Sequence, residues 1–188
     1  MAVSRYDQRK NFEEAEANAI GTEYLRADIL PPAEAAKLRD LLRSYLDQRI
    51  AFYVARDSGQ IAQINAETAR LQAELWSGVL RALTAQQTAV EALVVSGMND
   101  VLNSQGYTQA AWWNRIPVAA WGLMGLVAIA CSLLFGYGER YTSGLALVLP
   151  VIVSIAFFLI ADIDSPRAGV IRVLPQNLIA LSQTITAR

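Results

Sequence analysis

The sequence predicts an all-α membrane protein in which a helical domain is followed by a two-helix transmembrane hairpin and a short amphipathic segment. Two uncharged runs carry this prediction, residues 116–137 and residues 141–161, which are 22 and 21 residues long. At ~1.5 Å of rise per residue each run spans about 32 Å as a helix, close to the ~30 Å hydrocarbon core of a bilayer. The sequence therefore predicts a helical cytoplasmic domain over 1–110, a transmembrane hairpin over 111–161 and a cytoplasmic tail over 162–188.

The composition excludes several classes of protein. The chain has 188 residues, of which 54% are hydrophobic and 18% charged, and 16 Lys+Arg against 17 Asp+Glu leave a net charge of -1. The sequence has no basic block, so nucleic acid is not an expected partner. Histidine is absent and the single cysteine, Cys131, lies in the first apolar run, which argues against a histidine triad, a zinc site or an intrachain disulfide. We expect no cofactor, no metal and no enzymatic activity.

The helical domain begins with two predicted helices that a proline pair separates. The first covers Ser4 to about Leu25 and is expected to bury an apolar side, formed by Phe12, Ala15, Ala17, Ala19, Ile20 and Tyr24. Its charged residues are expected outside: Asp7, Arg9, Glu13 and Glu23. The second helix starts at Pro31-Pro32, because the first helical turn tolerates proline, and Asp57-Ser58-Gly59 ends it. Its apolar stripe consists of Leu38, Leu41, Leu42, Tyr45, Leu46, Ile50 and Tyr53.

A third segment, from Gln60 to about Ser104, contains no proline and predicts one long helix of roughly 65 Å. Its apolar positions begin with a heptad step, at Ile61, Ile64, Thr68, Leu71 and Leu75, and continue at Val79, Leu83, Val90, Leu93 and Val101. Gly78 or Gly97 is expected to bend or interrupt it, since glycine weakens a helix interior.

The ends of the two apolar runs predict their orientation. Trp112 and Trp113 are typical of an interfacial aromatic belt, and Tyr137 and Tyr141 mark the other interface. The three-residue link 138–140 makes the two runs an antiparallel hairpin. Near the ends of the runs, three arginines lie on the side of the helical domain and Arg140 on the other, which places that domain in the cytoplasm; the three are Arg115, Arg167 and Arg172.

The tail predicts a short amphipathic helix after Pro175, with one apolar face formed by Leu174, Leu178, Leu181 and Ile185. This helix would lie on the membrane surface or pack back on the helical domain. The sequence leaves both open.

Small residues recur at four-residue spacing in both apolar runs: Ala128, Ser132 and Gly136 in the first, and Ala146, Pro150 and Ser154 in the second. Such stripes let helices approach closely in lipid, either between the two runs or between subunits. Pro150 would free a carbonyl near Ala146. Pro150 and Ser154 are thus either a helix kink or an ion or pore contact.

The second run ends in a charged turn that contains Asp162, Asp164 and Arg167, with Pro166 and Gly169 bending the chain. In one interpretation the turn satisfies itself, with Arg167 neutralising Asp164 and reaching lipid headgroups. In the other, the paired carboxylates contact ions at a pore mouth, as a ring of charge does when symmetry repeats it.

A polar cluster also interrupts the Ala-rich first helix. Glu16 and Asn18 lie within Glu-Ala-Asn-Ala-Ile-Gly, and Tyr24, Arg26 and Asp28 follow. Such a cluster makes either a hydrogen-bonded helix contact or a ligand or gating site.

These residues carry a family resemblance that covers nearly the whole chain. Its motifs are Ser-Arg-Tyr-Asp-Gln-Arg-Lys at 4–10 with Arg5 and Asp7, the cluster from Glu16 to Arg26, Leu30-Pro31, and the turn at 162–169. In combination they resemble the bacterial bestrophin-like membrane proteins, a family of unknown function distantly similar to the pentameric bestrophin anion channels. The resemblance implies a bacterial inner-membrane protein with four membrane helices and a cytoplasmic helical insertion. It also implies a homo-oligomer that passes inorganic ions.

In that family the Arg-Tyr-Asp segment follows an apolar N-terminal span, whereas here it begins at Met1. We expect that N-terminal membrane helices are missing from this chain. The function expected is an oligomeric bestrophin-like ion channel or channel-like membrane protein. The alternative is a membrane-anchored helical interaction or scaffold protein without transport, which self-associates through the heptads from Ile61 to Leu75.

Overall fold

The computed structural model describes residues 2–83, 89–138 and 148–187. Within these ranges the chain forms α-helices and one short 3₁₀ helix, and no strand, so the all-α prediction is confirmed. The α-helices are α1 (Ala2–Arg26), α2 (Pro32–Val54), α3 (Ser58–Ala82), α4 (Ala89–Trp113), α5 (Val118–Gly138), α6 (Val148–Asp164) and α7 (Gln176–Thr186), and the 3₁₀ helix is Ala27–Ile29.

The chain divides into two compact units. The apolar unit consists of Met1–Tyr6 and Trp113–Arg172, and the bundle unit consists of Asp7–Trp112 and Val173–Arg188. The assignment of 1–110 and 162–188 to the cytoplasm stays a prediction.

In the bundle unit, α2 begins at the proline pair as predicted. Pro31 is extended, with φ −54° and ψ 143°, and its carbonyl accepts the N–H groups of Glu34 and Ala35 at 3.0 and 2.9 Å. The end of α2 comes earlier than expected, at Val54. Asp57 instead starts α3, because its side chain accepts the Gln60 N–H at 2.9 Å and so caps the helix.

The apolar stripes of α2 and α3 form the centre of the bundle unit. Their buried side chains are Leu38, Leu42, Tyr45, Leu46 and Phe52 on α2, and Ile64, Thr68, Leu71, Leu75 and Val79 on α3. Leu71 is 2% exposed. The heptad stripe is therefore part of this chain's own core, and the expectation that it forms a free self-association surface is wrong.

The predicted single helix over 60–104 is also wrong, because α3 and α4 are separate helices. The Leu83 N–H still donates to the Val79 carbonyl at 3.2 Å, but the Leu83 backbone is extended, with ψ 128°. Gly78 and Gly97, where the sequence suggested a break, both lie inside helices. Residues 84–88 lie outside the described residues.

The apolar unit contains α5 and α6. Helix α5 follows Pro117, whose carbonyl accepts the N–H groups of Ala120 and Trp121 at 2.9 and 3.3 Å. Among the described residues, one stretch is long and apolar enough to cross a membrane. It covers Glu91–Leu134, and its most apolar 18-residue segment has a mean hydropathy of 2.0 and contains no buried residue. The link residues 139–140, together with Tyr141 and Ala146, lie outside the described residues. The two-helix hairpin therefore stays a prediction.

The C-terminal helix α7 belongs to the bundle unit, where it packs against α2. Leu178 is 0% exposed and Ile185 is 4% exposed. Of the two placements that the sequence left open, the structure has the one in which this helix packs on the helical domain.

Candidate functional site

The buried face of α1 carries charges. Arg9, Glu13, Glu16 and Glu23 are each at most 2% exposed. The prediction that Arg9, Glu13 and Glu23 lie outside is wrong. Neighbouring helices bring hydrogen-bond partners to Arg9 and Glu13, and Glu23 lies against Gly97 of α4. Positions 9, 13, 16, 20 and 23 follow a heptad step, so the sequence already placed Arg9, Glu13, Glu16 and Glu23 on the same helix face as Ile20.

Glu16 and Arg49 form an ion pair whose two side chains are fully buried. The guanidinium Nε donates to Glu16 Oε1, and Nη2 lies 3.5 Å from Oε2. The Tyr53 hydroxyl and Thr108 Oγ1 also donate to Oε2, at 3.3 and 3.2 Å. The carboxylate of α1 is thus hydrogen bonded to α2 and α4. Glu16 makes a helix contact, which was one of the two interpretations of the polar cluster.

This pair shifts the pKa values around it. Burial is the largest single influence and acts to lower the pKa of Arg49, but Glu16, Tyr45 and Tyr53 together outweigh it and the pKa is raised. Burial and then the same carboxylate raise the pKa of the Tyr53 hydroxyl. Arg49 therefore stays charged and Tyr53 stays protonated at any physiological pH.

Aromatic rings enclose the pair. Arg49 lies over the Phe52 ring, with Cζ 4.5 Å from the centroid. Phe52 and Tyr53 contact Trp112 edge to face, with centroids 5.1 and 5.5 Å apart. Trp112 is 4% exposed, so its predicted place in an interfacial belt is wrong, whereas Trp113 is 74% exposed.

Glu13 binds the N-terminus of α7. Its Oε1 accepts the N–H groups of Asn177 and Leu178 at 2.9 and 3.0 Å, and Oε2 accepts Asn177 Nδ2 at 2.6 Å. Pro175, at the N-cap position, makes no side-chain cap. A carboxylate from another helix therefore satisfies two of the free N–H groups at the positive end of α7.

The remaining motif residues of α1 in the bundle unit lie on or near its surface. Asn18 is exposed and lines a groove of about 340 Å³ between α1 and α7. Asp7 is exposed and Arg26 is half-buried. A Cβ at Gly21, also in this groove, would lie 3.0 Å from Leu181 Cδ1, so α1 and α7 approach closely there.

Glu23 and Arg26 meet Gly97 of α4. Arg26 Nη1 lies 3.9 Å from Glu23 Oε2. A Cβ at position 97 would overlap both of these atoms. Burial raises the pKa of Glu23 to about 7, against an ordinary 4.5; Arg26 lowers it and Asp100 raises it.

In the apolar unit, Asp164 ties three segments together. The Ile116 N–H lies 3.1 and 3.0 Å from its two carboxylate oxygens, and Arg5 Nη1 donates to Oδ1 at 3.1 Å. Asp164 is 7% exposed. Asp164 is thus a buried carboxylate at the end of α6 that is hydrogen bonded to the start of α1 and to the entry of α5, and its bond with Arg5 is charge-assisted.

Asp162 holds the turn that follows α6. Its two oxygens accept the N–H groups of Val170 and Ile171 at 2.7 and 2.8 Å. These two bonds, from Ile171 first and Val170 second, lower the pKa of Asp162. Gly169 is required here, because a Cβ would overlap the Asp162 carbonyl. Arg167 lies half-buried in the same turn. A pore-mouth role for Asp162, Asp164 and Arg167 stays a prediction.

Pro150 and Ser154 are the two residues of α6 that the sequence singled out. Helix α6 is described from Val148, and Pro150 and Ser154 both lie within it. The Ser154 hydroxyl donates to the Pro150 carbonyl at 2.8 Å. The predicted ion or pore contact at these two residues is untested.

The described residues contain no group of three or more His, Cys, Asp or Glu placed to hold a metal ion. The described part of the chain is all-α, with one apolar stretch long enough to cross a membrane and a bundle with a charged interior. The model of the family described as Bestrophin-like domain matches residues 1–178, and the chain therefore belongs to the bestrophin-like family. Neither the search of curated proteins nor the search of solved structures finds a match.

Proposed function

We propose that this chain is a subunit of an oligomeric, channel-like protein of a bacterial inner membrane, in which the apolar unit lies in the bilayer and passes inorganic ions. The observation that carries the proposal is the uncovered apolar surface of α5. Leu126, Leu133 and Leu134 are 66, 69 and 76% exposed. A surface of this kind on a protein in water would be an association or membrane site. The family supports the bilayer as the partner.

The polar groups of α5 and α6 are compatible with lipid. Ser132 Oγ donates to the Ala128 carbonyl and Ser154 Oγ to the Pro150 carbonyl, each at 2.8 Å. A hydroxyl satisfied within its own helix costs little in hydrocarbon, where an unsatisfied polar group costs several kcal/mol. The arginine bias around the apolar runs supports a cytoplasmic bundle unit.

The oligomeric state is the first test. We expect a closed ring, with a pentamer as the number implied by the resemblance, when the full chain is purified in detergent. Light scattering with the micelle mass subtracted measures the protein mass. A monomer or dimer would remove the symmetric pore.

The second test is flux through liposomes that hold the full chain. We expect dye-reported halide or potassium flux, which empty liposomes lack. The doubly substituted Asp162→Asn, Asp164→Asn chain tests the charged turn. If these carboxylates only hold the turn, the oligomer loses thermal stability and ion selectivity stays the same.

A change of selectivity without loss of stability would instead place the two carboxylates at the pore mouth. The matched control is Asp7→Asn, since Asp7 is exposed on α1. If liposomes that hold the unchanged chain or Asp7→Asn show no more flux than empty liposomes, the channel proposal fails.

The alternative is a membrane-anchored helical interaction protein without transport. A groove of about 490 Å³ between α3 and α4 favours it, lined among others by Trp76, Leu83 and Val95. In this alternative the groove, rather than the buried heptad positions of α3, is the surface that binds a partner. A chain that binds membranes but conducts no ion as an intact oligomer would support this alternative.

The proposal gives the chain no catalytic role. Two observations support this: the sequence has no histidine, and the buried carboxylate of Glu16 is occupied by Arg49, Tyr53 and Thr108.

A further inference from the structure

The contact between α1 and α4 holds a carboxyl group that the proposed function does not use. The Glu23 side chain is fully buried. Among the described residues, neither of its carboxylate oxygens has a hydrogen-bond partner. Glu16 and Glu13, on the same face of α1, each accept at least three hydrogen bonds. Glu23 therefore differs from Glu13 and Glu16, because no hydrogen-bond donor among the described residues stabilises its ionised form.

Gly97 makes the room for this group. A Cβ at position 97 would overlap Glu23 Oε2 and Arg26 Nη1, and it would lie 3.1 Å from Glu23 Cδ. The head of Glu23 therefore occupies the place of a side chain on α4. Any repulsion that moves this carboxyl also moves α4, because no side chain lies between them to absorb the displacement.

The charged groups that face Glu23 among the described residues are Arg26 from its own helix and Asp100 from α4. Arg26 is half-buried and remains 3.9 Å from Oε2, beyond hydrogen-bond distance. Asp100 is exposed on α4 and repels a second negative charge. Burial, the largest cause, and the Asp100 charge favour the neutral carboxyl, and together they outweigh Arg26, which favours the ionised form.

We infer that Glu23 is a proton-binding site within the α1–α4 contact, and that its neutral form holds the two helices together over Gly97 while its ionised form loosens them. The site takes a proton rather than a metal, because it supplies a single buried carboxyl beside a guanidinium. It lies in the bundle unit and does not depend on whether the oligomer conducts ions.

The direction of the pH effect follows from the pKa of Glu23, which burial raises from 4.5 to about 7. Below the lower value both the folded and the unfolded chain carry the proton. Between the two values the unfolded chain releases the proton first, so the stability of the contact falls as pH rises. Above the higher value both are ionised, and stability no longer changes through this group.

Hydrogen exchange of the full chain in detergent tests the inference. After correction for intrinsic exchange, we expect peptides from α1 and α4 around Glu23 and Gly97 to exchange about tenfold faster or more at about pH 8 than at about pH 5.5. Peptides of α3 are the internal reference and are expected to keep one rate.

The variant Glu23→Gln keeps the shape of the neutral carboxyl and removes its titration. We expect it to fold, to exchange slowly at both pH values and to lose the pH dependence. Glu14→Gln, on the exposed side of the same helix, should behave as the unchanged chain does.

Infrared spectroscopy gives a second readout. We expect a protonated-carboxyl band that titrates near neutral pH in the unchanged chain and in Glu14→Gln, and that is missing in Glu23→Gln. Exchange without pH dependence in the unchanged chain, a band that survives in Glu23→Gln, or a Glu23→Gln chain that does not fold would each overturn the inference.

Discussion

The two units of this chain place polar and apolar groups in opposite ways. In the bundle unit the largest fully buried side chains include Arg9, Arg49, Glu13 and Glu16. In the apolar unit the exposed side chains include Leu133 at 69% and Phe158 at 65%. Each arrangement is stable only with a suitable partner: an ion pair or helix terminus for a buried charge, and lipid or protein for an exposed apolar helix. In this chain, whether a residue is buried therefore depends more on the partner that it contacts than on its hydropathy.

The two units are also expected to tolerate different substitutions. A buried ion pair contributes little net stability compared with a well-packed apolar pair, but removing one member leaves an uncompensated charge. An apolar helix in lipid tolerates apolar exchanges and resists a charge.

The largest expected effect is that of Arg49→Ala. It leaves the Glu16 carboxylate buried without its cation, and we expect a loss of about 3–5 kcal/mol in the free energy of unfolding of the bundle unit. Urea unfolding followed by circular dichroism measures it. Arg70→Ala is the matched control, since Arg70 bonds Glu67 and Glu74 on the surface of α3, and we expect little change there. Equal losses of unfolding free energy in Arg49→Ala and Arg70→Ala would mean that breaking the buried ion pair costs no more than breaking a surface pair.

A second effect is expected from Leu126→Arg in the middle of α5. If α5 lies in a bilayer, a central arginine costs about 2.5–3.5 kcal/mol of insertion free energy, and part of the chain should leave the carbonate-resistant membrane fraction. Leu80→Arg is the matched control, because Leu80 is 51% exposed on α3 and Leu126 is 66% exposed. We expect no change of membrane fraction for Leu80→Arg. If neither substitution changes that fraction, α5 does not lie in the bilayer.

The smallest of the three effects compares two glycines of α4. Gly97→Ala places a methyl group on Glu23 and Arg26, and we expect about 1–3 kcal/mol of destabilisation from overpacking. Gly106→Ala has nothing within 4 Å of its new Cβ, so it should stabilise α4 by up to about 1 kcal/mol through helix propensity. Thermal unfolding of the two variants measures the difference. A destabilised Gly106→Ala, or an unchanged Gly97→Ala, would contradict the packing seen at these positions.

Sequence patterns located the helices well where a specific residue starts them. Pro31-Pro32 marked the start of α2 because proline is compatible with a first turn. The break between α3 and α4 was missed, because Leu83 has no proline or glycine beside it and leaves the helix through its ψ angle alone. The family could also be recognised from the motifs between Arg5 and Gly169, and the match over residues 1–178 confirms it.

By itself the sequence determined the helical class, the apolar runs and the family, since these depend on spacing and composition along the chain. Tertiary structure alone decided that Glu13 caps α7, that Glu16 pairs with Arg49 and that Trp112 is buried. The physical reason is that a charge is stable inside a protein only beside a complementary group, and the partners of Glu16 and Glu13 lie 33 to 165 residues away along the chain. Trp112 is buried against rings of α2, which the sequence could not orient. Folding brings these partners together, and their proximity determines which face of α1 is buried.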